Sequence, residues 1–375
     1  MENPFYVRGY RGKDTFCDRE NETKSLIENA KNGIDSTLIS IRRQGKTGLI
    51  HHVFNHLQIE KAWKTIYVDI YATTSLKQFI DALASSIFET FPNKTTTGKK
   101  FFNLLKSLSV NLTFDPYSGN PEVSFNYSNQ NKVEHSIKSL FQFLDTQNLK
   151  ILIAFDEFQQ IIKFNETNVE ATLRTSIQGL KNVQFIFSGS HSHLISEIFQ
   201  SAKRPFFSST RIQNLKPIQK DKYIEFIQKM FISNNKQIED EAIEHILNFT
   251  FIHTFYVQSI CNKVFSITKR KADISIVNEA IRVLLDEQEP TFFQYRNLLT
   301  NSQWQLLIAI GKEEKVYKPT SSSFILKYKL VNGASVKRSL EALIAKEMVL
   351  QIQEEENFYF RIYDIFLLRW LKVLP

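Results

Sequence analysis

Cysteine is almost absent from this chain. Only Cys17 and Cys261 occur in 375 residues, far apart and without metal-type spacing, which argues against a disulfide frame and a zinc site and fits a reducing compartment. No run approaches the roughly 18 apolar residues that a membrane helix requires. The first residues, Met1 to Lys13, carry Asn, Pro and charge where a secretory signal needs an apolar stretch. A cytoplasmic location without membrane association is therefore expected. Tandem repeats and low-complexity tracts are missing as well. What is present is core material: 42% of residues are hydrophobic, with 32 Phe and 13 Tyr, and nothing points to disorder. The length allows one large α/β domain and one or two smaller ones. The net charge of +8 favours polyanionic partners such as nucleic acid, and equally serves solubility.

Strand and helix patterns alternate over the first two hundred residues. Ser36 to Arg42 is a β-branched, apolar run that passes through Arg43-Gln44-Gly45 into the helically spaced Lys46 to Leu57. Thr65 to Ile70 is a second strand. Leu76 to Phe91 follows as a helix, with Phe79, Ile80, Leu83, Ile87 and Phe88 on one face. Val110 to Phe114 and Val123 to Tyr127 alternate strictly around the turn-rich Asp115 to Pro121, which predicts a β-hairpin insertion. Lys99 and Lys100 read as a solvated helix start. Helix Val133 to Leu144, strand Lys150 to Phe155, helix Val169 to Leu180 and strand Val183 to Phe187 complete the series. Ile151 to Phe155 is an unbroken apolar run of the kind buried on both faces of a parallel sheet, and Val183 to Phe187 reads as another buried strand. A doubly wound α/β fold follows.

The later part changes character. Amphipathic helices are expected at Tyr223 to Phe231, Glu239 to Asn248, Tyr256 to Thr268 and Ile274 to Leu285. Asp286 to Pro290 reads as an acidic, proline-containing joint. Helices Ser302 to Ile310 and Ser335 to Lys346 then precede two strands, Met348 to Ile352 and Phe358 to Ile362, which is the winged-helix order. The division predicted is an α/β domain over 1–218 with its hairpin near 108–128, a helical lid over 219–288 and a winged helix over 289–375.

Chemistry concentrates in two places. Ser40-Ile41-Arg42-Arg43-Gln44-Gly45-Lys46-Thr47 matches the phosphate-binding pattern G-x-x-x-x-G-K-[ST] except that Ser stands first. Gly45 lets backbone N–H groups close around a phosphate, Lys46 bridges β- and γ-phosphates, and the Thr47 hydroxyl ligates Mg²⁺ at a helix N-terminus. Ser40 fits the loop entry where φ is negative. Ile151 to Glu157 supplies the complement. Its apolar residues bury a strand, Asp156 at the end can hold Mg²⁺ through water, and Glu157 can polarise the attacking water. Either acid could instead cap the following helix. Ser190, in Phe187-Ser-Gly-Ser, is a candidate for orienting that water or a simple turn residue. Arg204 and Arg211 are candidate γ-phosphate sensors, in cis or across a subunit interface. His191 and His193 lack partners for a metal site. In the winged helix, Lys337 and Arg338 could face DNA phosphates near Lys327 and Lys329, whereas Glu341, Glu347 and Glu354 to Glu356 oppose this and leave a protein partner equally open.

Taken together, these motifs resemble prokaryotic AAA+ ATPases of the archaeal-type ATPase family, related to the STAND and origin-initiator ATPases. Phe16-Cys-Asp-Arg-Glu20 is similar to the family's N-terminal Phe-x-x-Arg-Glu element, Arg42 to Thr47 to its Arg-Arg-x-Gly-Lys-Thr loop, and Phe155-Asp-Glu-Phe-Gln159 to its acidic strand end. Ser188-Gly-Ser190 resembles its sensor and His253 to Gln258 an element of its lid. The resemblance implies that Phe16 and Arg19 lie near the adenine, and that ATP is bound and slowly hydrolysed with conformational signalling to the winged helix. Three positions depart from the pattern: Ser40, Gly48 where Ser or Thr is usual after Lys-Thr, and Thr254 where Pro is common. No lid arginine stands out. The expectation is an ATP- and ADP-binding, Mg²⁺-dependent ATPase whose loop Ser40 to Gly48 holds the nucleotide. The alternatives are a non-hydrolysing nucleotide switch and a DNA-binding regulator with a vestigial ATP site. Oligomeric state stays open.

Overall fold

The computed structural model describes residues 2–108, 110–116, 121–125, 130–354 and 356–374. The chain divides into two compact units, one of Arg8–Tyr223 and one of Met1–Val7 with Ile224–Pro375.

The first unit runs α1 (Glu20–Lys31), β1 (Ser36–Ile39), α2 (Lys46–Gln58), β2 (Trp63–Asp69), α3 (Leu76–Thr90), α4 (Thr96–Ser107), β3 (Val110–Phe114), β4 (Pro121–Phe125), α5 (Gln130–Asp145), β5 (Lys150–Asp156), α6 (Val169–Ile177), β6 (Val183–Gly189), α7 (Ser192–Gln200) and β7 (Arg211–Asn214). Five strands form one parallel sheet in the order β2-β5-β6-β1-β7. The two-residue period of β5 sorts its side chains between two cores. Ile151, Ile153 and Phe155 join a Phe-rich cluster that includes Phe79, Phe185 and Phe187. Leu152 and Ala154 face the cluster of Leu26, Leu49 and Val53 from α1 and α2. Helices on both faces explain why Ile151 to Phe155 of β5 reads as an unbroken apolar run. The expected hairpin is present as the antiparallel pair β3–β4, tied to α3 by Val123 N–H donating to Ser85 Oγ (2.9 Å) and Phe125 N–H to Asp81 Oδ1 (3.0 Å). The expected turn at Tyr117 to Asn120 and the strand end at Tyr127 lie outside the described residues.

Asp35 ties the sheet together just before β1. Its carboxylate accepts Phe185 N–H of β6 (2.9 Å) and its carbonyl accepts Arg211 N–H of β7 (2.8 Å). Burial pushes its pKa up to about 6, against the opposing effects of the Phe185 N–H and Arg174. A carboxyl whose folded pKa lies above its unfolded value binds more protons when folded. Stability therefore falls as pH rises from about 4 to about 6 and is flat beyond. Asp35→Asn keeps an acceptor for Phe185 and removes the buried charge. We expect it to flatten this slope and to raise stability at pH 7 by about 1 kcal/mol or more, read from urea unfolding at pH 4.5 and 7. An unchanged slope would sink the assignment.

The second unit contains α8 (Lys220–Ile232), β8 (Gln237–Ile238), α9 (Asp240–Thr250), α10 (Thr254–Ile267), β9 (Lys271–Ala272), α11 (Ile274–Leu298), α12 (Asn301–Glu313), α13 (Ser322–Lys327), α14 (Gly333–Ala345), β10 (Val349–Glu354), β11 (Asn357–Ile362) and α15 (Ile365–Val373). The expected joint at Asp286 to Pro290 is instead the middle of α11, with Pro290 inside the helix. Proline inside a helix removes the hydrogen bond to the carbonyl four residues earlier and crowds that carbonyl, a cost of about 3 kcal/mol. Strong helix formers around it, and the buried Phe292 just beyond, carry the helix through. Helices α12 to α14 precede the antiparallel ribbon β10–β11, as a winged helix requires. Arg369 of α15 fastens this region to α9: Nε and Nη2 donate to Phe249 O (3.1 and 2.9 Å), and Nη1 pairs with Glu314 (2.5 Å). A guanidinium on the last carbonyls of a helix also complements the helix dipole.

Candidate nucleotide site

The strand β1 ends at Ile39 and the chain crosses Ser40 to Gly45 before α2 begins at Lys46. Gly45 caps the helix with φ 97°, in the left-handed region, where glycine is tolerated without strain. Arg43 shares that region at φ 62°, whereas Ser40 keeps a negative φ, so serine fits at the loop entry. The first turn of α2 carries no acidic side chain, leaving its free N–H groups and positive dipole end for an anion. Lys46 is 6% exposed. Its ammonium donates to Ser40 O (3.1 Å), Ser40 Oγ (3.3 Å) and Ile41 O (3.3 Å). Burial lowers its pKa, Asp156 and Glu157 oppose that, and Arg42 adds to it.

β6 lies between β1 and β5 in the sheet, so the ends of all three meet at one edge. Asp156, 5% exposed, is surrounded by donors. Thr47 Oγ1 and Tyr67 OH both donate to Oδ2, at 2.8 and 2.6 Å. Ser188 Oγ and the Glu157 N–H (3.0 Å) donate to Oδ1. Tyr67 comes from β2 and was not singled out from the sequence, where it looks like one more aromatic in a strand. Burial, then the Asp156 charge, raises its pKa, so it remains a donor at neutral pH. Asp69 sits opposite Asp156 in the β2–β5 register, and burial raises its pKa, with Asp156 and Glu157 adding to it against the Tyr71 N–H.

Glu157 follows Asp156 with φ 57°, and its carboxylate meets a different set of donors. Glu157 Oε2 accepts from Ser190 Oγ (2.7 Å) and from Gln159 Nε2 (2.6 Å). Arg42 Nε reaches the same Ser190 Oγ at 3.3 Å, so the loop, the end of β6 and Glu157 are joined in one network. Gly189 makes room for it: a Cβ there would stand 2.2 Å from Gln159 Oε1 and 3.2 Å from Ile195 Cδ1. Gln159 and Gly189 stand in two separate sequence elements, Phe155 to Gln159 and Ser188 to Ser190; their pairing appears only when β6 lies beside β5.

Phe16 stacks on His52 of α2 (ring centroids 4.2 Å apart, 20° between planes), and the Tyr10 hydroxyl bonds His52 Nδ1 at 2.9 Å. An added Cβ at Gly48 would meet Phe16 Cε2 at 3.4 Å, so the small residue after Lys46-Thr47 lies directly under Phe16. Arg19 has φ 68° and is 4% exposed, with Nη1 on Glu22 (2.8 Å) and Nη2 buried without a partner. Arg204 is not gathered with the loop. It pairs with Glu170 (2.7 Å) and Glu197. Arg211 lies on the edge strand β7, bonding Asn29 Oδ1 at 3.0 Å. His191 precedes α7 and His193 lies exposed within it. Among the described residues there is no group of three or more His, Cys, Asp and Glu that could hold a metal ion, and no helix is long and apolar enough to cross a membrane. In the second unit Lys327, Lys329, Lys337 and Arg338 are all exposed, with Lys327 bound to Glu313.

Comparison with known proteins agrees with this architecture. The family described as "ATPase domain predominantly from Archaea" matches residues 16–251. One described as "Probable winged helix domain" matches residues 290–373. Among solved structures, a Walker-type ATPase of Pyrococcus abyssi is similar at 19% identity, covering 99% of this chain and 100% of that one, with a TM-score of 0.67. The ORC2 protein of Aeropyrum pernix in ADPNP–ADP complexes is similar at 14% identity over 99% and 96%, with a TM-score of 0.59. The ORC1 protein of the same organism in complex with DNA follows at 13% over 96% and 93%, with a TM-score of 0.53. At these identities the likeness speaks to the fold. None of the curated proteins matches the chain.

Proposed function

The chain belongs to the family of ATPase domains found predominantly in Archaea, and from that premise we propose that it binds ATP with Mg²⁺ at Ser40 to Gly48, hydrolyses it slowly to ADP, and signals the nucleotide state to its winged helix. The observation that supports this most is the convergence of Lys46 and Thr47 with Asp156 and Glu157, two pairs from distant chain segments, at one sheet edge. In this reading Lys46 leaves the Ser40 and Ile41 carbonyls for the β- and γ-phosphates, and the N–H groups around Gly45 close on the β-phosphate. Thr47 and Asp156 fit a hard cation: both are oxygen donors, 2.8 Å apart, beside the helix end that would carry phosphate. When bound there, Mg²⁺ would neutralise charge developing on the transferred phosphoryl group. Glu157 accepts a proton from the attacking water, and Ser190 and Gln159 orient its carboxylate. Phe16 and Arg19 line the base side. Arg204 would have to leave both Glu170 and Glu197 to reach a phosphate.

The chain is read as an α/β domain to about residue 218, a helical lid to about 288 and the winged helix beyond, acting in the cytoplasm. Lid and winged helix share the uninterrupted α11 and the Arg369 contacts, so a change in one is carried to the other. The test is phosphate release from Mg·ATP by the purified chain, with Lys46→Ala as the control that removes it. Absence of ATP binding by the unaltered protein would overturn the reading.

A DNA partner is the second part of the proposal, favoured by exposed Lys337 and Arg338 on α14. Their replacement by alanine should weaken duplex binding about tenfold and lower the slope of log affinity against log salt by about two, since each neutralised phosphate contributes a slope of about 0.9. Fluorescence anisotropy between 50 and 200 mM salt measures both. An unaltered slope assigns these residues to a protein partner instead.

A further inference from the structure

We infer that Tyr67 is a positioning residue that acts through Asp156 to weaken Mg²⁺ binding, by occupying the carboxylate oxygen that a metal-bound water needs. The inference rests on the ATPase reading above and concerns how its cation site is tuned. A carboxylate offers about four acceptor positions. In Asp156 all four are used: Ser188 Oγ and the Glu157 N–H on Oδ1, Thr47 Oγ1 and Tyr67 OH on Oδ2. With the side chain 5% exposed, bulk water does not compete for them.

The four donors are not equivalent. Ser188 and the Glu157 N–H lie on the oxygen facing β6 and the chain itself, and together they fix the carboxylate's orientation. Thr47 can ligate a cation through its oxygen while its proton stays on Asp156, so it need not move. Tyr67 is the remaining donor on Oδ2. It enters from β2, the neighbour of β5 on the other side from β6, and its bond is the shorter of the two on that oxygen. A metal-bound water that donates to Asp156 must take the position that Tyr67 holds. Tyr67 therefore adds to the free energy of cation uptake the loss of a hydrogen bond to a charged acceptor, partly regained by the incoming water.

Tyr67→Phe removes this competition and leaves three donors to hold the carboxylate. The expected result is an affinity for Mn²⁺ in the presence of ADP about five- to tenfold tighter than in the unaltered protein, a range that corresponds to one hydrogen bond not broken. Free Mn²⁺ measured by electron paramagnetic resonance reads this directly, without turnover. Ser188→Ala, which removes an orienting donor from the other oxygen, should weaken the same affinity. If the unaltered protein takes up Mn²⁺ with ADP and Tyr67→Phe binds equally or more weakly, the role given to Tyr67 is wrong and the ATPase reading stands. If the unaltered protein takes up no Mn²⁺ with ADP, both fall. A cooperative thermal unfolding transition retained in each variant, well above the assay temperature, guards against loss of fold.

Discussion

Glu157→Gln is expected to bind ATP as tightly as the unaltered protein and to release phosphate about 10²- to 10³-fold more slowly, the usual contribution of a positioned general base. The amide oxygen that replaces the carboxylate in that variant would still accept from Ser190 and Gln159, so the surrounding network is kept while its basicity is lost. Lys46→Ala is expected to behave differently. It removes the only lysine of the loop, whose ammonium already lies against Ser40 and Ile41, and should lower ATP affinity about 10²-fold, the loss of a charge-assisted contact to phosphate worth about 2 to 3 kcal/mol. Equilibrium binding and single-turnover phosphate release separate the two. Normal turnover in Glu157→Gln would remove Glu157 from the mechanism and leave Asp69, the third carboxylate at this edge beside Asp156, as the next base to examine. Binding without turnover in the unaltered protein would favour a nucleotide switch, with the ion and hydrogen-bond network around Asp156 serving conformation alone.

The parts of this site that the sequence announces are those where chemistry and local structure coincide. Gly45-Lys46-Thr47 lies between an apolar run and an amphipathic helix. The acids Asp156 and Glu157 end a run whose every residue from Ile151 is apolar. Both patterns follow from strands buried on two faces, so the sheet and its edge are legible together. Tyr67, and the pairing of Gln159 with Gly189, are not, because their meaning depends on which strands are neighbours: β2 lies beside β5 only after the sheet has been ordered. The edge strand β7, Arg-Ile-Gln-Asn, lacks an apolar run because its side chains are exposed or only half-buried, and Arg211 there reads from the sequence as a candidate γ-phosphate sensor. Pro290 misleads in the opposite sense. A local breaker signal lost to the tertiary anchoring of α11, through Phe292 and through Glu289, which accepts from Trp370 Nε1 at 3.0 Å.

Phe5 carries the other large effect, and nothing in its surroundings in the sequence foretells it. The short stretch Met1–Val7 belongs to the second unit, where Phe5 is fully buried against Phe226, Phe231 and Phe265, with ring centroids 6.2, 5.6 and 6.0 Å away. The backbone on either side is fastened too: Asn3 Nδ2 donates to Asn262 O (2.8 Å) and Asn262 Nδ2 to Phe5 O (2.7 Å). Phe5→Ala should destabilise this unit by about 3 to 5 kcal/mol, the transfer and cavity terms of a fully buried phenyl ring together. Asn262→Ala, which leaves the ring in place, should cost about 1 kcal/mol. If the two units unfold independently, the loss should appear in one unfolding transition. ADP, bound by the other unit, should still shift the second transition upward by mass action. Calorimetry with and without ADP distinguishes the outcomes. A single transition, lowered as a whole by Phe5→Ala, would mean that the units unfold together and that the stability of the nucleotide-binding unit depends on an aromatic contact made elsewhere. Two transitions with only one lowered would make Phe5 the means by which the segment before Arg8 is committed to the second unit, leaving the nucleotide site's own stability to Asp35, the sheet and its ligand.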